Sequence, residues 1–245
     1  MRSGKRWVLA VILVLGFLGG ACDNTFQSLG EKDSREAKLE EARIAMDKGD
    51  FTTAVALLET LNVQNPADTE ITRSLASALS GRAGLNFFDL VARAKEALDA
   101  SGDHTIQQLV AAFPHPVTDN NLSDISRAIV LGGAIASSSG DANDFYSLAL
   151  YYTAQTVLVI LKETDLAPGD GVPDTFNASA LSDADAQIVY VSLVNALTNF
   201  GPGKAGLDES SEVLKSLVDL KREIDPAGTG TDIGNKLRAY LDLVF

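Results

Sequence analysis

From Arg35 onward the chain alternates between apolar residues spaced three and four apart and short polar breaks, the pattern of helices that each bury one face. The first helix is expected over residues 35–47, with Ser34 placed to cap it and Gly49 to end it. Ala37 stands where a capping box would need Glu or Gln, so Ser34 caps alone. Ala54, Leu57, Leu58 and Leu61 mark a second helix that stops before Asn65-Pro66, and Ile71, Leu75, Ala78 and Leu79 mark a third. Phe87, Leu90, Val91, Ala94 and Leu98 repeat the spacing up to Ser101-Gly102, and a short helix follows from His104 to Phe113. Pro114-His115-Pro116 interrupts the pattern. A helix over 122–137 comes next, capped by Asn121 or Ser123, and contains Gly132-Gly133-Ala134, small enough for a close neighbour. Residues 144–162 are apolar nearly all round, which places that helix in the middle of a bundle. Three more helices are expected: 182–199 capped by Ser182 or Asp183, 213–224 stopped at Asp225-Pro226, and a last one through Ile233, Leu237, Tyr240 and Leu241. No stretch keeps the alternation of a strand. The expected fold is all-α, an array of about ten antiparallel helices.

Within this pattern, Gly49-Asp50-Phe51, Ala54, Leu58 and Pro66 resemble the second half of a tetratricopeptide repeat, with Ala42 and Ala45 at the small positions of its first helix. Small residues let two antiparallel helices approach, and Pro66 ends the second so that another can start. Leu75-Ala76 stand where a following repeat wants a large and then a small residue, but Phe88 occupies the place of a small Ala and no Pro closes the unit. The resemblance covers 35–102 and implies helical hairpins at the N-terminal end, continuous with a helical bundle over 103–245.

The N-terminus follows a different rule. Arg2, Lys5 and Arg6 precede the apolar run from Trp7 to Leu18, and Gly19, Gly20 and Ala21 lead to Cys22. A basic start, a short apolar core and small residues make a secretory signal peptide over 1–21. The run is about a dozen residues, shorter than the ~20 of a spanning helix, which disfavours a signal anchor. Leu18-Gly19-Gly20-Ala21-Cys22 resembles a bacterial lipobox, although Gly19 holds the place usually taken by Leu. That resemblance implies a lipid on Cys22, residues 22–34 as a tether, and a body facing the periplasm from the cell membrane or outer membrane. Asp23 resembles the inner-membrane retention signal of the enterobacterial sorting scheme.

Charge narrows the partners. The 245 residues carry 20 Lys and Arg against 33 Asp and Glu, net −13, and loss of residues 1–21 would leave 17 cations against 33 anions, net −16. Such a body is repelled by nucleic acid and by anionic lipid headgroups, so neither is an expected partner and the acyl chains must hold the membrane. One Cys and two His exclude a disulfide framework and a multi-histidine metal site.

Candidate chemistry is sparse. Asp165–Asp174 is a polar loop with some likeness to a calcium loop, but Ala167 and Gly169 interrupt its acidic series and Leu181 stands where an EF-hand opened at Asp170 would have its final Glu. Gly201 to Gly206 lacks the Ser or Thr and the strand of a phosphate loop. His104 and His115 have no sequence-near catalytic partner, and no G-x-S-x-G elbow occurs. Phe87, Phe88, Val91, Phe145, Tyr146, Tyr151 and Tyr152 are the candidates for lining a pocket or an interaction face, against the plainer expectation that they fill the core. The reading that follows is a non-enzymatic envelope lipoprotein without cofactor or metal, a helical scaffold or assembly factor for another envelope protein. The alternative is a ligand-binding accessory of a solute transport system, with an apolar pocket between helices.

Overall fold

A computed structural model describes residues 34–85, 113, 116–165, 177–201, 203–207 and 211–245. Over these residues the chain forms α1 (Arg35–Asp47), α2 (Phe51–Gln64), α3 (Thr69–Arg82), α4 (Asp119–Ser139), α5 (Ala142–Thr164), a 3-10 turn at Ala178–Ala180, α6 (Asp183–Phe200), α7 (Glu212–Ile224) and α8 (Ile233–Val244). The fold is all-α, with eight α-helices and no strand among the described residues. Cys22, the expected signal peptide over 1–21 and the expected helices over 87–98 and 104–113, save Phe113 itself, lie outside them.

Local chemistry sets the helix starts. Ser34 accepts from the Ala37 N–H, Asp50 from Thr53 and Ser182 from Asp185, each satisfying a backbone donor of a first turn. The start of α4 departs from the expected Asn121 or Ser123 cap. Thr118 is the cap, the helix begins at Asp119, and Asn121 returns the favour by accepting from the Thr118 N–H at 2.8 Å. Thr118 lies beyond Pro116, so every first-turn residue keeps its N–H and the helix can begin earlier. At its other end α4 runs two residues past the expected stop, to Ser139, where Gly140 takes the left-handed conformation at φ +65°.

Three antiparallel hairpins follow one another: α1 with α2, α3 with α4, and α5 with α6. Ion pairs fix the directions. At the C-terminal end of α3, Arg82 grips both oxygens of Asp124 in α4 at 2.7 and 2.8 Å, and the Asn121 amide donates to the Ala83 carbonyl at 3.2 Å. Toward the other end, Arg73 grips both oxygens of Asp144 in α5 at 2.7 and 2.8 Å, and Ser139, the last residue of α4, donates to the same carboxylate. Helices α3 and α4 are therefore antiparallel, and α5 runs beside α3 in the same direction. Arg35 at the start of α1 likewise binds Asp68, the cap of α3. The odd-numbered helices α1, α3 and α5 line one side of the array. Helices α2 and α4 share the other side, tied by Arg127 to Glu59 at 2.6 Å.

Burial is greatest in α5, as its all-round apolar sequence requires. Val157, Leu158, Ile160 and Leu161 are at most 1% exposed between α4 and α6, and each contributes roughly 1.5–3 kcal/mol. No helix of the described residues is long and apolar enough to cross a membrane. Two glycines let large rings come close. A Cβ on Gly81 would overlap the Phe51 ring, and one on Gly132 would stand 3.0 Å from the Tyr151 ring, whereas Gly133 faces open space.

Helices α7 and α8 close the C-terminal end against α6. Their join is organised by Asp225, whose side chain is wholly buried and accepts from Lys236 Nζ at 2.6 Å, Gly230 N at 2.8 Å and Tyr190 Oη at 3.0 Å. The Lys236 ammonium, then the Gly230 N–H and the Tyr190 hydroxyl, hold this carboxyl down to about 2 against the pull of burial.

Two measurements check this architecture. Gly81→Ala should destabilise the protein by about 1–3 kcal/mol in urea unfolding, because the new methyl forces the Phe51 ring aside; adding Phe51→Leu should recover part of that loss. As pH falls from about 4 toward 2, the unfolded chain protonates at position 225 before the folded one, so the stability supplied by ionised Asp225 is present above about pH 4 and disappears through that window. Asp225→Asn should be less stable at neutral pH and should flatten the acid limb of the stability curve.

Candidate functional site

The odd-numbered side of the array holds a groove of about 600 Å³, within the range of small-ligand sites. Its position follows from the hairpin geometry. The C-terminal ends of α1 and α3 reach it side by side, α2 begins at it, and the first half of α5 crosses it. Met46 comes from the last turn of α1, Phe51 opens α2, and Leu85 follows α3, while Tyr146, Leu150 and Tyr151 come from α5. Phe51 can lie against α3 only because position 81 has no side chain.

The apolar walls meet a line of hydroxyls. Ser77 and Ser80 of α3 line the groove together with Tyr151 of α5, and the Ser80 hydroxyl donates to the Ser77 carbonyl at 2.8 Å. Burial pushes the Tyr151 phenol up from its ordinary value, and the two serines only partly counter this. Tyr151 is thus a neutral hydroxyl at any ordinary pH, a hydrogen-bonding group and not a charge. Tyr146 is oriented by an edge-on contact with Phe200 of α6, ring centres 5.2 Å apart and planes at 73°. Asp47 is the one charged residue of the lining among the described residues, and it stands exposed at the rim. Walls of this kind, with hydroxyls and one carboxylate, are equipped to bind.

The sequence candidates divide. Tyr151 lines the groove. Phe145, its expected companion, turns instead beneath Lys204, whose Nζ sits 5.2 Å from the ring centre. Tyr152 is half-buried against the core and is not part of the lining. Phe87, Phe88 and Val91 lie outside the described residues, as do His104, His115 and most of the 165–174 loop. Tyr146, a sequence candidate beside Phe145, also lines the groove, and Met46, Asp47 and Phe51 belong to it without having been singled out for it. For Phe51 the only sequence signal is a small residue, Gly81, thirty positions away in a helix that periodicity alone would fill with Ala or Ser.

A second, polar depression of about 460 Å³ lies over Arg82, Asn121, Asp124 and Arg127. Both arginines are committed there, Arg82 to Asp124 and Arg127 to Glu59, so the surface shows a closed set of ion pairs. Among the described residues, no three His, Cys, Asp or Glu side chains gather as metal ligands. No family model, curated protein or solved structure matches this chain.

The groove depends on the α3–α5 contact, and this dependence can be measured. Asp144 is 6% exposed, and Arg73, with the Ser139 hydroxyl, keeps its carboxyl below the usual carboxylate range. Arg73→Met should cost about 1–3 kcal/mol in urea unfolding, short of the full penalty for orphaning a buried charge because Arg73 itself is half exposed. Asp144→Asn introduced into that variant should restore part of the loss, since the orphaned charge is then gone.

Proposed function

We propose that this protein is a lipid-anchored scaffold of the bacterial envelope, whose odd-numbered helices α1, α3 and α5 hold a segment of another envelope protein. The observation that carries the reading is the groove shared by the three parallel helices α1, α3 and α5 and completed by Phe51 at the start of α2. Arrays of helix pairs make recessed faces of this kind, suited to an extended peptide or a helix. The tetratricopeptide resemblance of residues 35–102 agrees with this geometry: Gly49 turns α1 into α2, Ala54 and Leu58 are fully buried at the pairing face, and α3 starts just after Pro66. Next to the hairpin of α1 and α2, α3 pairs with α4 as the second described hairpin.

The anchor in this reading is Cys22, with residues 22–34 as the tether and the body in the periplasm. Its support is the order of basic, apolar and small residues before the single Cys. The competing reading, a ligand-handling accessory of a solute transporter, is favoured by one observation, the volume of the groove.

Photo-crosslinking in living cells separates the two. Crosslinking residues at positions 77 and 150, in the groove, should give one protein adduct of defined mass. Those at positions 126 and 130, exposed on α4, should give none. Equal labelling from both faces, or none from the groove, would remove the scaffold reading. The same adduct should weaken in a Cys22→Ala variant, which should also remain unprocessed and lack the lipid by mass spectrometry.

A further inference from the structure

Among its wall-forming side chains the groove carries rings from Phe51, Tyr146 and Tyr151, aliphatic groups from Met46 and Leu150, and one carboxylate, Asp47; no Lys, Arg or His lines it among the described residues. Aromatic faces and a carboxylate are the two kinds of group that attract an organic ammonium, the rings by their negative faces and the carboxylate by its charge. We propose that this groove binds an organic cation: an ammonium or alkylated ammonium beside Asp47, with its apolar body among Phe51, Tyr146 and Leu150.

Three features of the surroundings favour a positive guest. Among the described residues the Asp47 carboxylate has no hydrogen bond or ion pair, unlike Asp68, Asp124, Asp144 and Asp225, each of which is gripped by an Arg or Lys. It sits in the last turn of α1, where the helix dipole is negative, and Lys48, the cap residue beside it, does not line the groove. The whole chain is net −13 as well, so the background field draws cations and repels anions. The hydroxyls of Ser77, Ser80 and Tyr151 are neutral and do not oppose this. The site stands apart from the scaffold reading, since the cation can be a free amine or the side chain of a lysine in a docked partner. Both present the same ammonium on an apolar stem.

The test is calorimetric titration of the full chain in dodecyl maltoside, a detergent without an ammonium group, with hexyltrimethylammonium, and with hexanol and hexyl sulfate as its neutral and anionic matches. The cation should bind about tenfold more tightly than the alcohol, and the sulfate more weakly than either. Asp47→Asn should bring the cation down to the level of the alcohol. Asp242→Asn, which removes the same charge from an exposed position on α8, should leave the preference intact. Because Asp47 is exposed, its variant should fold, which the unchanged urea midpoint would verify. An alcohol that matches the cation, a preference that survives Asp47→Asn, or the absence of binding by the cation would each overturn the proposal. A second arm uses the peptide acetyl-Phe-Lys-Phe-amide and its norleucine counterpart. Tighter binding of the lysine peptide than of hexyltrimethylammonium assigns the cation to a partner protein, and the reverse order assigns it to a free amine. Loss of the groove adduct in crosslinking with the cation preference intact would remove the scaffold alone.

Discussion

Asp124 and Asp144 are carboxylates taken almost wholly out of water, and each is tolerated there because one arginine of α3 holds both of its oxygens. The two arginines stand at residues 73 and 82 of the same helix, so α3 is gripped toward both ends, once by α4 and once by α5. A bidentate pair has little freedom to slide, and two of them on one rod fix its position along its axis. The depth and width of the groove depend on that position. If α3 shifted by one turn, Ser77 and Ser80 would leave Tyr151, and Gly81 would no longer lie under Phe51. Hydrophobic burial supplies most of the stability, but it is nondirectional, and these carboxylates choose among the packings it allows.

Much of the helical plan was legible because its signals are local. Ser34 and Ser182 cap where the pattern of polar and apolar positions puts them, and α1 spans the expected residues 35–47. The buried centre of α5 follows from its composition, since a helix with no polar face has nowhere else to go. The start of α4 was misplaced because Thr118 and Asn121 act together as a box, and two polar residues three apart gave no reason to prefer the earlier one. The repeat resemblance departs at Phe88, outside the described residues; the described helix that pairs with α3 begins at Asp119, a distance over which periodicity carries no information.

The groove was less legible than the helices. Tyr151 was found as one of several aromatics on an apolar helix, yet the same helix offered Phe145, Tyr146 and Tyr152 with equal claim. A helix that is apolar all round does not announce which ring faces an opening and which faces a neighbour. That choice is made by the register of α3 and by Phe200 and Lys204, all distant in sequence. Asp47 was hidden for the opposite reason: an acidic residue near a helix end reads as ordinary surface, and only the arrival of Phe51, Tyr146 and Leu150 around it makes it part of a lining.

The bond from Asn121 to the carbonyl of Ala83 brings together two points of the chain separated by 38 residues. Those two points are held twice, by that bond and by the Arg82–Asp124 pair. Loss of either contact alone therefore leaves the end of α3 joined to the start of α4 by the other, so the register of α3 is guarded by redundancy at this end of the helix.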